Sequence, residues 1–212
     1  MDCGQLIASV SKTLNDVDHV RWPVEDLMSW LNAGCMEVCR TRPEASEVRK
    51  VLTLAQGTRQ ELGAGDLQLL RVIRNVPSGR AVRLVESSVL DSVLPHWHNG
   101  IRADDIKEYG WNKSEPRVFW VYPPAKSTAK VECAISALPK PVSVPSDPNN
   151  PVYDPFPLPA EYAQAVEAWM LYRAYMQDTG AGSAQKAQTW SAYFSHSLGV
   201  RGQSWAESRP KE

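Results

Sequence analysis

The 212-residue chain has no apolar run near the ~20 residues that a membrane span requires, no surplus of charge of either sign, and only four cysteines. Each shortage excludes something. With 23 Lys and Arg against 24 Asp and Glu the formal net charge is −1, so the chain lacks the clustered basic face that coats nucleic acid non-specifically. Cys3, Cys35, Cys39 and Cys133 are scattered, and they are too few to form a disulfide framework at this length, which fits reduced thiols. Met1-Asp2-Cys3-Gly4-Gln5 lacks the basic start and apolar run of a secretory signal. A soluble protein made in a cytosol is therefore expected. What the chain does have is proline and tryptophan: 16 Pro outnumber 12 Gly, most of them between Pro116 and Pro159, and Trp occurs eight times. Large aromatics serve cores first, and partner-covered surfaces second. A hydrophobic fraction of 43% is enough for a packed interior.

Apolar periodicity divides the sequence. Leu6, Ile7, Val10 and Leu14 make a one-sided helical stripe, which Asn15-Asp16 and Asp18 interrupt. A second helix opens at Pro23, with Glu25 and Asp26 favouring the positive end of its dipole. Its apolar face is Val24, Leu27, Met28, Leu31, Cys35 and Val38, and Pro43 stops it. The middle reads as short strands. Val48–Leu54, Gln68–Val76 and Arg80–Val85 are candidates, and Arg117–Tyr122 and Lys130–Ser136 are the clearest, the last with Val131, Cys133 and Ile135 on one face. Ser88–Leu94 forms a helical turn, Gly57-Thr58-Arg59-Gln60 a charged turn, and Pro123–Ser127 a connection. Leu138–Pro159 holds eight prolines and little periodicity, so an extended, unpacked arm is expected. Between Ala168 and Met176 every residue except Arg173 is apolar, marking the buried centre of a helical assembly. Ser183 caps a final helix carrying Ala184, Ala187, Ser191, Phe194 and Leu198, closed at Gly199.

Two helical segments that cannot bury their stripes alone must meet, which brings the ends of the chain together. The fold class expected is α+β: a four-helix bundle from the N- and C-terminal helices, with a β-rich insertion between them and an extended C-terminal tail. The corresponding boundaries are 1–44, 45–157, 158–199 and 200–212. Leu31 and Trp169 belong to the bundle core. Arg173, set among apolar neighbours, calls for an ion pair with Glu37 or Asp26.

Catalytic signatures are missing. There is no Gly-x-Ser-x-Gly elbow and no phosphate-cradling loop, and Gly63-Ala64-Gly65 lacks the third glycine of a dinucleotide fingerprint. His96 and His98 flank Trp97 near Asp91, Asp104 and Asp105, but no third and fourth ligand follow at metal-motif spacing. A hydrogen-bonding loop is the simpler account of the pair. Cys35 and Cys39, one helical turn apart, fall where core residues belong. No enzyme activity, catalytic residue, metal or cofactor is expected.

The order of several blocks resembles the head-to-tail adaptor proteins of tailed bacteriophages. They are Trp30-Leu31-Asn32-Ala33-Gly34 with Arg42-Pro43, Leu52-Thr53-Leu54 with Gly57–Gln60, Leu69-Leu70 with Arg74-Asn75, and Leu90-Asp91 with Pro95–His98. Phe119–Pro124 and Leu171–Tyr175 with Asp178 complete the succession, which spans about residue 5 to about residue 198. The resemblance implies a homo-oligomeric ring of about twelve copies beneath the portal protein, in the head–tail neck of a virion assembled in a bacterial cytoplasm. Such a ring extends the DNA channel without sequence-specific binding, offers a platform to the tail tube or nozzle, and involves no membrane. It also implies that the C-terminal segment docks on the portal, and there the residues offering an anchor are Arg201, Trp205 and Arg209. The runner-up readings are a metal-dependent hydrolase using His96 and His98, and a binding module outside any virion.

If the histidine pair is only a structural loop, His96→Ala combined with His98→Ala leaves folding and assembly nearly unchanged. Metal analysis of the purified parent then finds no stoichiometric zinc or manganese, whereas a tightly bound ion lost in the double variant would revive the hydrolase.

Overall fold

Asp2 fixes where the chain becomes helical. Its carboxylate accepts from the Gln5 N–H at 2.8 Å while the Gln5 side chain accepts from the Asp2 N–H at 3.1 Å, a reciprocal cap for two otherwise unpaired donors. The computed structural model describes residues 2–147, 151–180 and 182–207, with 200–207 as backbone alone. Among these are five α-helices: α1 (Cys3–Thr13), α2 (Val24–Thr41), α3 (Ser87–Val93), α4 (Ala163–Gln177) and α5 (Ser183–Glu207). Seven strands accompany them: β1 (Glu47–Thr53), β2 (Gly57–Glu61), β3 (Asp66–Val76), β4 (Arg83–Leu84), β5 (Glu108–Trp111), β6 (Val118–Ala125) and β7 (Lys130–Ala137). The class is α+β. The chain divides into a helical unit, Met1–Ala45 with Pro139–Glu212, and a sheet unit, Ser46–Leu138. None of the helices is long and apolar enough to cross a membrane, among the described residues.

In the helical unit α4 packs against α5, α2 and α1. Val166, Ala168, Met170, Leu171 and Ala174 are fully buried on α4, as are Leu27, Leu31 and Val38 on α2. The backbones of α2 and α4 approach closely at Gly34, where an added Cβ would stand 3.0 Å from Trp169 Cδ1 and 3.1 Å from Val166 Cγ1. Trp169 is half-buried and lies 5.2 Å, centroid to centroid, from Phe194 of α5. Its indole Nε1 is buried without a hydrogen-bond partner among the described residues. The ion pair expected of Arg173 does not form: Glu37 reaches Arg40 at 3.4 Å instead. Arg173 shares the half-buried side of α4 with Trp169 and Tyr172, beside exposed Met176, so its charge keeps access to water. Helix α5 runs past Gly199 to Glu207, because a glycine inside a helix weakens it without stopping it. Arg42 ties α5 to α2 by donating from Nε at 2.9 Å and from Nη2 at 2.5 Å to the Leu198 carbonyl.

The proline-rich arm is packed, contrary to its composition. Asn32 of α2 clamps Val142 from both sides, donating from Nδ2 to the carbonyl and accepting the N–H at Oδ1, each at 2.9 Å. The Cys3 N–H donates to the Asp154 carbonyl at 3.1 Å, and Asp2 bridges Pro155. Tyr153 lays its ring against Gly4, where an added Cβ would collide with Cδ2 of the ring. Val142 and Leu158 are buried as a result.

The sheet unit holds a three-stranded sheet in the order β1-β7-β3 and a four-stranded one in the order β2-β6-β5-β4. Its core contains Leu69, Val72, Ile106, Phe119, Val121, Val131, Cys133 and Ile135. Central β7 is buried on both faces, since Ala134 and Ser136 are also fully covered. The small side chains of Ala134 and Ser136 leave no apolar mark of this second buried face in the sequence. The charged turn at Gly57 is in fact β2, and the run at Arg80 shortens to the two residues of β4. Strand β6 continues through Pro123 and Pro124. On its flank Gly57 pairs with Ala125 and Arg59 with Trp120, so a register irregularity absorbs residues that cannot donate to a ladder. Buried Asn75 of β3 holds the approach to β5, accepting the Ile106 N–H at 2.7 Å and donating to the Ile106 carbonyl at 2.8 Å.

Truncating Trp169 to Ala removes the wedge between α2 and α5 and should cost about 3–5 kcal/mol. Trp169→Phe should cost much less, because it keeps a ring and discards an unsatisfied N–H. Gly34→Ala gains roughly 1 kcal/mol of helix propensity but loses about 1–3 kcal/mol to overpacking, so net destabilisation is expected. Thermal melts of the three variants check the crossing; parent-like melting of Trp169→Ala would misplace it.

Candidate functional site

Among the described residues the side chains that stand out without internal work are apolar. Val17 and Val20 are 68% and 87% exposed in the loop between α1 and α2, and the loop is built rigidly. Asn15 and His19 adopt positive φ of 55° and 53°, which turns the chain back over Asp16. The Asp16 carboxylate accepts from the N–H groups of Val20 at 3.0 Å, Arg21 at 3.1 Å and Trp22 at 2.8 Å. Partial desolvation opposes its charge, yet the donors of Trp22, Arg21 and Val20 outweigh that and hold its carboxyl below the usual range. Arg21 reaches Asp178 at the end of α4 at 2.5 Å and lies over the Trp22 ring at 5.3 Å. The backbone N–H of Gly180, together with Ser183 and Arg21, keeps Asp178 ionised to low pH. Two valines are thus presented to water by a polar frame, an arrangement that becomes favourable when a partner covers them.

Beside this loop runs an open groove of about 470 Å³, lined by His19, Pro23, Val24, Pro145, Pro151 and Tyr153 among others. Its walls are mostly proline and aliphatic carbon, with His19, Glu25 and Tyr153 as the polar members among the described residues. The sheet unit carries a second apolar cluster along one stretch of chain: Leu84, Val89, Val93, Leu94 and Ile101 are exposed, with Val93 at 69% and Ile101 at 92%. Val89 and Val93 lie one turn apart on α3, where Leu90 is the buried residue.

Of the residues singled out for a metal, His98, Asp91, Asp104 and Asp105 are already engaged, each with a different partner, and none of these contacts involves His96. His98 Nδ1 lies 2.8 Å from Thr58 Oγ1, and its ring stacks on Trp97 at 3.8 Å. Trp97 Nε1 donates to Asp91 at 2.9 Å. Asp104 accepts from Lys126 and Thr128, which lower its pKa, and Asp105 accepts from Ser78. Among the described residues no three His, Cys, Asp or Glu side chains converge on a metal-sized position. All four cysteines are buried, and no disulfide joins them among the described residues. Burial pushes the Cys3 thiol up to about 11 and Cys133 to about 12, and it raises Cys35 further, helped by Cys39 and Cys3 nearby.

Of the C-terminal anchor residues, Arg201 and Trp205 fall on the backbone of α5, one helical turn apart; Arg209 lies outside the described residues. The sequence did not reveal the Val17–Val20 loop, because two non-glycine residues at positive φ leave no compositional mark. Only the clustering of Asn15, Asp16 and Asp18 hinted at a structured turn.

The sequence model of a family described as SU10 adaptor protein matches residues 1–211. No curated protein matches the chain.

Replacing Asp16 by Asn isolates what its charge does. A carboxyl whose folded pKa lies below its unfolded value of about 3.9 stabilises fully above that value and loses the effect as pH falls through the folded one. Asp16→Asn should therefore melt below the parent at pH 7, with the gap closing towards about pH 2, and the Val20, Arg21 and Trp22 amides should exchange faster. An equal gap at both pH values would show that the charge is irrelevant.

Proposed function

This chain belongs to the SU10 adaptor protein family, and from that premise we propose that it is the structural head-to-tail adaptor of a tailed bacteriophage. In this reading it joins a closed homo-oligomeric ring, of about twelve copies as the resemblance to head-to-tail adaptors implies, seated under the portal protein. The ring prolongs the DNA channel and offers its far side to the tail tube or nozzle. The observation that carries the reading is the family match over residues 1–211 rather than over one module. The packing of α4 against α1, α2 and α5 supports it: in this reading those four helices are the adaptor's bundle, and the residues of the sheet unit are an insertion between its halves. Apolar side chains stand exposed in both units, as a subunit with neighbours requires. DNA passes without base-specific contact, the setting is the neck of a virion assembled in the host cytoplasm, and the role is mechanical rather than enzymatic. Neither the hydrolase nor a binding module outside a particle has an observation of its own in its favour.

Docking to the portal is assigned to the end of α5. Leu198 is buried and its carbonyl is held by Arg42, so the residues after it lie beyond that tie. Trp205 supplies the one aromatic group after Leu198, while Arg201 and Arg209 meet carboxylates at the rim of a portal cleft. Affinity concentrated in few residues suits a short docking segment.

Deleting residues 201–212 should leave the melting temperature of the monomer unchanged and abolish stable attachment to purified portal, read as the mass of the complex. Trp205→Ala should weaken attachment by about tenfold or more, the cost of a central aromatic anchor. Attachment of the truncated protein at the parent level would move docking to the helices, and failure of the full chain to bind portal would remove the adaptor reading itself.

A further inference from the structure

Asn99 and Gly100 form the chain's single Asn-Gly pair, and they fall on a lightly held stretch of backbone. Upstream, Trp97 is buried, its Nε1 donates to Asp91 at 2.9 Å, and it begins a short 3-10 turn that ends at Asn99. Downstream, the next backbone tie is the Ala103 N–H to the Pro124 carbonyl at 2.9 Å. Between them the Gly100 N–H meets the Trp97 carbonyl at 3.4 Å, longer than an ordinary N–H···O bond. Asn99 and Gly100 are both exposed, and the Asn99 side chain makes no hydrogen bond among the described residues. The other described asparagines differ. Asn32 and Asn75 commit both ends of their amides, to Val142 and to Ile106. Asn15 and Asn112 precede Asp16 and Lys113, whose side chains crowd the following backbone nitrogen.

We infer that Asn99 is a self-modifying site, converted to aspartate and isoaspartate by attack of the Gly100 nitrogen, with water as the co-reactant. The Gly100 nitrogen gives its proton to a solvent base and bonds to Asn99 Cγ. The bond from Cγ to the amide nitrogen breaks, ammonia leaves, and an imide ring closes. Water then opens the ring. Cleavage at Cγ restores the ordinary backbone with an aspartate side chain, whereas cleavage at the Asn99 carbonyl carbon routes the main chain through the side chain. Either way one water is taken up and one ammonia released. Glycine favours the attack because no Cβ stands beside its nitrogen and its backbone turns freely. The product lowers the formal net charge of −1 by one unit. Its carboxylate arises in the stretch of chain that exposes Val93, Leu94 and Ile101. A partner covering that stretch must then bury a charge, which is costly without a cation to meet it. Time spent uncovered therefore counts against later docking, whether or not the protein sits in a virus particle.

The fold does not require a glycine here, which lets a substitution isolate the chemistry. Gly100 has φ −67°, and an added Cβ would stand 3.4 Å from the Trp97 carbonyl oxygen and 3.5 Å from Pro124 Cδ. Gly100→Ala should therefore melt like the parent and convert about tenfold more slowly or worse. Asn99→Gln, whose longer side chain closes the ring poorly, should yield no acid at that position on the same timescale, and it keeps the test valid if the alanine variant unfolds. The full chain is held in warm, mildly alkaline buffer and digested, and each asparagine is read by peptide mass and an isoaspartate assay. Asn99 should convert before Asn15, Asn32, Asn75 and Asn112, at a rate within about tenfold of a free peptide spanning His96 to Arg102. Three results would overturn the inference: Asn99 intact when the free peptide has reacted, another of these asparagines converting first, or an Asn99 rate that Gly100→Ala leaves unchanged.

Discussion

Helix α4 cannot exist with its surface in water. Its fully buried residues point to several directions around the axis, so neighbours must cover it from α1, α2 and α5 together. Those neighbours come from both ends of the sequence. That requirement brings the first 45 residues back to the last 70 or so, and the sheet unit occupies the chain between them. The close passage of α2 at Gly34 and the wedge of Trp169 against Phe194 follow from the same demand for contact.

Segments without regular structure are fixed by side chains that imitate backbone. Asn32 offers Val142 both a donor and an acceptor, as a neighbouring strand would, and Asn75 does the same for Ile106. Asp16 supplies only acceptors, and it meets a turn that presents three donors. Each of these groups satisfies peptide atoms that would otherwise be stranded beside an apolar surface. The apolar residues left outside, Val17 and Val20 foremost, are therefore held out by polar bonds, which makes them available to a partner at little ordering cost.

The helices were legible because a period of 3.6 in Leu6, Ile7, Val10 or in Leu27, Met28, Leu31 admits one interpretation. Strand β2 was not, because Thr58, Arg59, Gln60 and Glu61 carry no apolar alternation, and its hydrogen bonds to β6 are made by atoms every residue has. The prolines of Pro123-Pro124 and of the 139–159 arm misled for one reason: proline reports where a backbone donor is missing, and not whether a surface lies alongside. The arm is bound through its carbonyls and through Tyr153, and a Gly4 with room for that ring is a signal only once the ring is known to be there. For the surfaces assigned to partners, the chemistry of Trp205 was visible in sequence, whereas the exposure of Val17 and Val20 required the positive φ of Asn15 and His19.

The cysteines have a practical side. Cys3, Cys35, Cys39 and Cys133 are enclosed, and the three whose titration is displaced remain protonated far above neutrality, so the folded protein offers maleimides and similar reagents almost nothing to react with. A single cysteine introduced at an exposed position then stands against a silent background. Fluorophores, spin labels and cross-linkers can be placed on this chain one site at a time, with its native thiols left in the sequence.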